Sequence, residues 1–316
     1  MDLSLRAALP RLRRGRLSSS SERTAWLNEQ YSPSRSAHDF NGSIQSYKAG
    51  TDAARAAITG SRHRVLAYGA LSSNRIECFL PRAEGVPGGA RRGAPIFAFI
   101  HGGWWQDLSI DYAAAPAVAL TDSGAIYASI GYTLAPAAGL REIVAEVSAA
   151  LTTIAAHATG MGGDPRRIVL AGHSAGAHLA AAQLTALTPE APRSTAAGLL
   201  LIGGAYDLEP IAESYVNEKV RMSAADAAAL SPAQLMPLHD VPVKIRVGEE
   251  EPEEFHRNAA LLRERWAPSL SAINSAVLSG RDHFDALDEL ADPHGRLYAD
   301  ALELLGIPLQ RAGVGR

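Results

Sequence analysis

Short apolar runs and longer amphipathic segments alternate along most of this chain. The apolar runs end in glycine or polar residues, which is typical of buried strands, and the longer segments place apolar residues at helical spacing. Because apolar strands separated by helices form mainly parallel sheets, we expect such a sheet with helices on both faces. The predicted strands are 95–100, 125–134, 166–172, 197–206, 241–248 and 271–280, and the predicted helices are 140–158, 175–187, 253–266 and about 286–305.

Two further regions precede these alternating strands and helices, and a third lies among them. Residues 26–59 have a helical pattern that a turn at 31–34 interrupts. Residues 64–82 contain two alternating runs around a Ser-Ser-Asn turn, which predicts an antiparallel pair of strands. The polar, helical stretch at 207–234 is expected to lie over the sheet as a small cap. We therefore interpret residues 21–316 as one α/β domain.

Composition limits the classes of function. The chain has 316 residues, of which 47% are hydrophobic, and a net charge of -3. That charge gives no reason to expect binding to nucleic acid or to a membrane surface, and no apolar run reaches the roughly 18 residues that span a bilayer. Cys78 is the only cysteine, which excludes an internal disulfide and a metal site of several thiolates. We expect Cys78 to be a small core residue on a strand.

The N-terminal residues 1–20 differ in character from the rest. They contain five arginines and a serine run, with Asp2 as their only acidic residue. Organelle transit peptides share this composition, but the absence of an apolar centre argues against a secretory signal. We expect residues 1–20 to be a disordered tail and the protein to be cytoplasmic.

The sequence GHSAG at 172–176 carries the strongest chemical signal. It matches G-x-S-x-G between a predicted strand and a predicted helix, where a sharp turn presents the serine oxygen above the sheet edge. The flanking glycines keep Cβ atoms out of that crowded turn. Ser174 is therefore predicted to be a nucleophile, and the backbone N–H of Ala175 is predicted to donate to a developing oxyanion.

A second motif, FIHGGWWQD at 99–107, follows the first predicted strand of the alternation. An α/β-hydrolase places its other oxyanion donors in this loop. Gly102 and Gly103 would let backbone N–H groups approach a substrate oxygen, and Trp104 and Trp105 are predicted to wall the substrate pocket. Together the two motifs predict the α/β-hydrolase fold and a serine hydrolase.

A serine nucleophile needs a base, and an acid must orient that base. In this fold the acid and then the histidine follow the serine along the chain. His283 comes directly after the last predicted strand, at the edge where such sheets assemble their sites, so it is the predicted base. His178 lies one helical turn after the serine, and we expect it to pack or to form a local hydrogen bond.

The acid is expected after the predicted strand 241–248, where the chain has a run of glutamates. Acidic residues in loops are usually solvated, so most of these glutamates are expected to have no catalytic role. Asp207, after the preceding strand, is an alternative acid, and Asp282 and Asp285 are alternative local partners of the histidine. The glutamates are Glu249, Glu250, Glu251, Glu253 and Glu254.

Six motifs resemble the arylformamidase (kynurenine formamidase) family of α/β-hydrolases, from about Trp26 to the C-terminal helix. By position, Ser174 resembles the nucleophile of this family, His283 its base and Glu251 its acid. The family usually has aspartate at position 251, and relatives often carry tyrosine or another residue at position 104. The motifs are YSPSR from Tyr31, HGGWW from His101, GHSAGAHLAA from Gly172, YDLEPI from Tyr206, EFHR from Glu254 and DHF from Asp282, of which YDLEPI with EFHR is the more specific pair.

The resemblance implies hydrolysis of N-formyl-L-kynurenine to L-kynurenine and formate, without a metal or a cofactor. The expected partner is a small aromatic substrate, and a homodimer is a further expectation. A carboxylesterase for small aryl esters is the first alternative. The second is a hydrolase-like protein that binds an aromatic ligand with little or no turnover, although a pure receptor would not need the serine, the histidine and both oxyanion loops.

Overall fold

An eight-stranded sheet runs through the part of the chain that the structure describes. The structure is a computed structural model that describes residues 19–82, 93–187 and 196–309. The strands are β1 (His63–Ala67), β2 (Arg75–Phe79), β3 (Ala94–Ile100), β4 (Ile126–Ile130), β5 (Gly163–His173), β6 (Gly198–Ile202), β7 (Val243–Gly248) and β8 (Ile273–Leu278). Their spatial order is β1-β2-β4-β3-β5-β6-β7-β8.

Strand directions confirm the predicted mainly parallel sheet. β1 and β2 form the predicted antiparallel pair, and β2 is also antiparallel to β4. All the other neighbouring pairs are parallel. The carboxyl ends of β3 and of β5 to β8 therefore lie along the same edge of the sheet, and the loops that follow these ends carry the candidate site.

Helices cover both faces of the sheet. Two of them, α4 and α9, have the predicted bounds 140–158 and 253–266. The helices are α1 (Ser20–Gln30), α2 (Phe40–Ala57), α3 (Ala117–Asp122), α4 (Leu140–Ala158), α5 (Ala175–Ala182), α6 (Glu209–Ala212), α7 (Asn217–Val220), α8 (Ala224–Ala229), α9 (Glu253–Trp266), α10 (Asp288–Ala291) and α11 (Arg296–Leu305).

Two predicted helices are shorter in the structure. The closing helix is divided into α10 and α11 around Pro293, because proline lacks the N–H for a helical hydrogen bond and its ring blocks the preceding turn. α5 ends at Ala182 instead of residue 187. Beyond it the carbonyl of Leu184 accepts a hydrogen bond from the N–H of Leu238 at 2.8 Å, so a contact to a distant segment replaces the helical bond.

The sheet separates two apolar layers. Along β3, Ile96, Ala98 and Ile100 point to the layer that contains α4, α5 and α9, while Phe97 and Phe99 point to the layer that contains α3 and α11. This alternation is the period of two that a strand imposes, and here both faces are apolar because both are covered.

Cys78 lies on β2 and is fully buried, which confirms the expectation of a core residue on a strand. Burial raises the pKa of the Cys78 thiol to about 12, because the apolar surroundings disfavour the thiolate. The thiol is therefore protonated at neutral pH, and it acts as a small apolar side chain.

The chain from Leu140 to Met161, which is α4 and its terminal turn, is long and apolar enough to cross a membrane by length and composition. In the structure its apolar side chains, among them Ile143, Val147 and Ile154, are buried in the core. A helix that covers a sheet meets the same compositional test, so packing in the core accounts for this pattern.

Most of the predicted tail, residues 1–18, lies outside the described residues. The last two residues of the predicted tail do not fit the expectation of disorder. Helix α1 begins at Ser20, and Ser19 is its N-cap, with its side chain accepting a hydrogen bond from the N–H of Glu22. The Glu22 side chain in turn accepts a hydrogen bond from the N–H of Ser19. This capping box satisfies N–H groups that a helix start otherwise leaves unpaired, so the helix begins earlier than its apolar pattern indicated.

The segment predicted as a cap, 207–234, contains α6, α7 and α8. Contacts tie it to α1 and to α9. Arg23 on α1 forms an ion pair with Glu213 at 2.5 Å, and Trp266 on α9 donates its indole N–H to the carbonyl of Pro232 at 3.2 Å. The segment is thus packed between the N-terminal helix and α9.

A buried cluster of charges fastens β7 to α11. The Asp300 carboxylate accepts hydrogen bonds from Arg246 Nε at 2.6 Å and from Lys244 Nζ at 2.9 Å. The Arg246 side chain is fully buried. Burial alone would raise the pKa of Asp300, but the hydrogen bonds from Arg246 and Lys244 hold it below its usual value.

We predict that Asp300→Ala lowers the free energy of unfolding by about 3–5 kcal/mol, because it leaves the buried Arg246 guanidinium without its counter-charge and leaves Lys244 with only the exposed Glu303. Denaturant titration followed by tryptophan fluorescence measures the change. The matched control is Glu303→Ala, which removes an exposed partner of Lys244 and should cost less than about 1 kcal/mol.

Asp300→Ala, compared with wild type at several pH values, also tests whether Asp300 acts through its charge. Since the folded-state pKa of Asp300 is depressed, its contribution is present at neutral pH and is lost as the pH falls through that value. The difference between wild type and Asp300→Ala should therefore shrink in acid. A difference that does not change with pH would mean that Asp300 acts only by packing.

Candidate active site

Ser174 occupies a strained turn between β5 and α5. Its backbone φ is 55°, in the left-handed region that non-glycine residues rarely adopt, at a cost of about 1–3 kcal/mol. The N–H of Ser174 donates to the carbonyl of Ile202 at the end of β6, at 2.8 Å. The strand–turn–helix context predicted for G-x-S-x-G is present, and the serine is held at the carboxyl edge of the sheet.

The two glycines of the motif are required by close backbone contacts. A Cβ atom at Gly172 would collide with the carbonyl of Gly176, and a Cβ atom at Gly176 would collide with the carbonyls of Ile100 and His101. The turn is therefore wedged against the end of β3. Any side chain at either position would displace Ser174 from this edge.

The loop after β3 lies directly against the serine. A Cβ atom at Gly102 would be 3.1 Å from Ser174 Cβ, and Gly103 has a φ of 105°. The Tyr132 hydroxyl lies 3.1 Å from the carbonyl oxygen of His101 and 3.3 Å from that of Gly102. Because C=O and N–H point in opposite directions across a trans peptide, the N–H groups of Gly102 and Gly103 point away from Tyr132.

The third backbone donor predicted from the sequence is Ala175. It is the first residue of α5, so its N–H has no acceptor within the helix. The positive end of the helix dipole adds to the field at this position. Of the three predicted donors, Gly102 lies against Ser174, and Ala175 follows Ser174 at the start of α5.

His283 and Glu251 form a buried hydrogen-bonded pair. His283 Nδ1 lies 2.6 Å from Glu251 Oε2, and both side chains are almost completely buried. The other carboxylate oxygen of Glu251 accepts the N–H of Gly248, at the end of β7, at 2.8 Å. The acid is thus oriented by the strand that precedes it, and His283 Nε2 is left for a second partner.

Gly203 makes room for this pair, and sequence reasoning missed it. Its φ is 52°, and a Cβ atom there would lie 3.0 Å from both His283 Nδ1 and Glu251 Oε1. A side chain at this position would press on the hydrogen bond itself. The signal in the sequence was the glycine at the end of an apolar run, which also marks an ordinary turn.

The alternative acids lie elsewhere. Glu249 accepts the N–H of Gly280, Glu250 faces His38, and Asp207 is paired with Arg257. Asp282 accepts backbone N–H groups from residues 38, 284 and 285. Among the carboxylates of the described ranges, Glu251 is the one hydrogen-bonded to the imidazole of His283.

His173, the variable residue of the serine motif, holds the loop that carries His283. Its Nε2 lies 2.7 Å from the carbonyl oxygen of His283. Burial, and then the nearby His283 ring, lower the pKa of His173 well below its usual value, so its ring is neutral and donates from Nε2. Nothing in the sequence pattern distinguished this position from an ordinary turn residue.

Trp104 is half-buried and belongs to an aromatic cluster near His283. Its ring centroid lies 5.8 Å from that of Tyr31 and 6.0 Å from that of Phe255. The Phe255 ring in turn lies 4.6 Å from the His283 ring. Sequence reasoning chose Trp104 for this region but missed Phe255 and Tyr31, which reach it from α9 and from the end of α1.

Trp105 does not fit its predicted role in the pocket wall. Its side chain is fully buried, and its ring meets the His178 ring edge-on at 5.1 Å. Both tryptophans have a positive φ, 49° at Trp104 and 60° at Trp105, yet the Trp105 side chain lies in the core while Trp104 is half-buried. His178 packs against Trp105, as one of the two expectations for this histidine had it, but its hydrogen bond is not local, since Nε2 lies 2.9 Å from the carbonyl oxygen of the distant Leu230.

One group of possible metal ligands lies beside the site. Ligand atoms of His38, Asp282 and Asp285 all lie within 4.8 Å of one another. Hydrogen bonds account for the arrangement, since His38 Nδ1 lies 2.9 Å from Asp285 Oδ2 and the backbone N–H of His38 donates to Asp282. Exposed clusters of this kind are common without an ion, and these bonds tie the N-terminal segment to the His283 loop.

Comparison with known proteins agrees with this geometry. A family model for the α/β-hydrolase fold matches residues 97–255. A kynurenine formamidase from Danio rerio is 29% identical, over 89% of this chain and 96% of the relative. Another from Salmo salar is 27% identical with the same coverage.

One solved structure that is similar to this chain is a protein from Silicibacter sp. that is provisionally described as a thioesterase. It is 29% identical, with a TM-score of 0.76, and the match covers 86% of this chain and 97% of that one. The eight-stranded sheet, the family model and these relatives agree with one another. The chain is a hydrolase of the α/β-hydrolase fold family, and within that family it is arylformamidase-like.

Proposed function

We propose that the protein hydrolyses N-formyl-L-kynurenine to L-kynurenine and formate, with Ser174 as nucleophile, His283 as base and Glu251 as acid. The observation that carries the proposal is the buried contact of 2.6 Å between His283 Nδ1 and Glu251 Oε2, at the same sheet edge as the strained Ser174. The formamidase relatives, which match almost the whole chain, support the choice of substrate.

In the first half of the reaction, Ser174 Oγ attacks the formyl carbon and His283 Nε2 takes the hydroxyl proton. The carbonyl oxygen becomes an oxyanion, which accepts hydrogen bonds from the N–H groups of Gly102, Gly103 and Ala175. When the C–N bond breaks, the imidazolium returns its proton to the arylamine, which leaves as L-kynurenine. Glu251 keeps the imidazole in the tautomer with hydrogen on Nδ1 and stabilises the imidazolium.

In the second half, water attacks the formyl-enzyme and gives its proton to His283 Nε2. The tetrahedral intermediate collapses, the bond to Ser174 Oγ breaks, and the serine regains its proton from the imidazolium. Formic acid leaves the site and loses its proton to solvent, which gives formate. Atoms and charges then balance without an oxidant or a reductant.

The chemistry of the substrate suits this site. A formyl carbon bears only hydrogen, so it is less hindered toward Ser174 than an acetyl carbon. An arylamine leaves more readily than an alkylamine, so less proton transfer from His283 is needed in the transition state. An aromatic ring against Trp104 would gain about 0.5–1.5 kcal/mol beyond burial.

Hydrolysis of small aryl esters is the second candidate. The relative from Silicibacter sp., with its provisional thioesterase description, favours an acyl group on sulfur or oxygen over one on nitrogen. The proposed steps apply equally to such substrates, with an aryloxide leaving from an aryl ester and a thiolate from a thioester. The two functions are therefore distinguished by the preference for a formyl over an acetyl group and by the preference for an amide over an ester.

We predict that Ser174→Ala folds normally and loses activity by several powers of ten, since loss of a triad nucleophile leaves only binding and oxyanion stabilisation. Steady-state hydrolysis and thermal unfolding are measured on the same preparation. Retention of more than about a tenth of the rate would place the nucleophile at another residue.

Glu251→Gln should lower kcat by a factor on the order of 10³ or more, because the amide neither fixes the histidine tautomer nor stabilises the imidazolium. Glu249→Gln and Glu250→Gln are matched controls on the same loop, and each should retain nearly full activity. If Glu251→Gln behaves like the controls, the acid is not Glu251.

For the substrate, kcat/KM should be at least about tenfold higher for N-formyl-L-kynurenine than for N-acetyl-L-kynurenine. The third compound in the comparison is p-nitrophenyl acetate. If the wild type cleaves this ester strongly and the formamide barely at all, the protein is a general esterase and the substrate proposal is wrong.

A further inference from the structure

Backbone strain is concentrated in the loop after β3, which places the predicted oxyanion donor Gly102 against Ser174. Trp104 and Trp105 have φ values of 49° and 60°, and Leu108 has a φ of 65°. Non-glycine residues rarely adopt this left-handed conformation, and it persists only where the surrounding contacts determine it. The loop therefore needs firm anchors if its N–H groups are to keep their positions relative to Ser174.

Trp105 is the residue through which the loop is anchored. Its carbonyl accepts the N–H of Ala135, in the loop after β4, at 2.8 Å. Its side chain is fully buried, and its ring meets the His178 ring edge-on, with 5.1 Å between the ring centroids. The backbone of the loop is thus tied to the end of the neighbouring strand, and the Trp105 side chain is tied to α5.

His178 connects this anchor to the nucleophile. It lies on α5 one helical turn after Ser174, and its N–H donates to the Ser174 carbonyl at 3.3 Å. Its side chain has no exposed surface and contacts both Trp105 and the carbonyl of Leu230. Because protein interiors are close-packed, the place of this ring sets the place of Trp105 relative to Ser174.

A hydrogen bond fixes the orientation of the His178 ring. Nε2 lies 2.9 Å from the carbonyl oxygen of Leu230, at the end of α8. Since a carbonyl only accepts, Nε2 carries the hydrogen. Burial lowers the pKa of His178 to about 4, so the ring is neutral at physiological pH. The imidazole is therefore uncharged and held in one plane, which suits a packing surface and not a proton carrier.

We infer that His178 is a positioning residue, which holds Trp105 through the contact between their rings and thereby keeps the oxyanion donors of the loop after β3 in place relative to Ser174. The inference rests on the proposed function for the use of these donors, but not for the identity of the substrate. Any acyl group that Ser174 attacks would develop the same oxyanion. Loss of the ring should therefore weaken the binding of an oxyanion and spare the binding of an unreacted ligand.

Two ketones measure the oxyanion separately from ground-state binding. Acetophenone binds as the unreacted ketone. Trifluoroacetophenone has the same ring, but its fluorines make the carbonyl carbon electrophilic enough for Ser174 Oγ to add to it. A C–O bond forms, the carbonyl π electron pair moves onto the carbonyl oxygen, and the hydroxyl proton goes to His283 Nε2. The ratio of the two dissociation constants, measured by calorimetry on the full chain, therefore reports on the oxyanion donors.

The decisive pair of variants is His178→Leu and His178→Phe. Both lack the hydrogen bond to Leu230, and they differ in whether an aromatic ring faces Trp105. His178→Leu should reduce the preference for the trifluoro ketone by at least about tenfold, because a displaced oxyanion donor loses much of its effect. His178→Phe keeps the edge-on ring contact and should retain the preference to within about threefold. The affinity for acetophenone should be nearly unchanged in both.

Tyr127→Leu is the matched control for a general loss of packing. Tyr127 is also a fully buried ring, and its hydroxyl donates a hydrogen bond to the carbonyl of Ala113. It lies in the other apolar layer, with α3 and α11. This variant should lower the thermal stability and keep the full preference for the trifluoro ketone.

Trp105→Leu gives an independent measurement of the same contact. It should show the loss expected for His178→Leu, and the double variant should lose little more, because both residues act through one contact. A partly unfolded variant remains informative, since the ratio of two dissociation constants does not depend on the active fraction.

An unchanged preference in His178→Leu, or an equal loss in His178→Leu and His178→Phe, would overturn the inference. Absence of any preference in wild type would also overturn it, since there would then be no oxyanion donors to position. Failure of the proposed substrate is a separate result. In that case wild type prefers the trifluoro ketone but does not hydrolyse N-formyl-L-kynurenine, and the role of His178 stands.

Discussion

The hydrogen bond between His283 and Glu251 is the interaction around which the site is arranged. It joins the loops that follow β8 and β7, and both partners are buried, so an unpaired histidine or glutamate here would carry the full cost of desolvation. The N–H of Gly248 supports the acid, and the neutral His173 ring supports the loop of the base. The pair is therefore held by the backbone of Gly248 at the end of β7 and by the side chain of His173 at the end of β5.

Close backbone approach is the second requirement, and it explains the positions of the glycines. Gly172 and Gly176 bring the serine turn against the end of β3, and Gly203 brings the end of β6 against the buried pair. At each of these positions a single added carbon would meet a carbonyl or a triad atom. The strained backbone of Ser174 is stable because packing on all sides determines it.

The region that would receive a substrate is assembled from distant parts of the chain. Tyr31 comes from the N-terminal segment, Trp104 from the loop after β3, and Phe255 from α9. Because α1 also contacts the segment 207–234, the N-terminal helix is a structural part of this site. The three aromatic side chains therefore come together only when the N-terminal segment, the loop after β3 and α9 have packed against one another.

The sequence by itself determined the order of the elements and the place of the reactive serine. Strand and helix patterns are local, and the strand–turn–helix context of Ser174 is also local, so periodicity and glycine spacing suffice to predict them. Even the register of Glu251 came from the resemblance of the neighbouring EFHR motif.

Residue patterns left five glutamates within a few residues as candidate acids, and only the resemblance favoured Glu251. The tertiary structure decided among them by bringing Glu251 to the end of β7 and to His283. It also decided that Trp105 lies in the core and Trp104 is only half-buried, which the identical residue types could not indicate. The contacts among Tyr31, Asp207, Glu254 and Arg257 could not be predicted, because they join three segments that are remote in sequence and meet only when the sheet has formed.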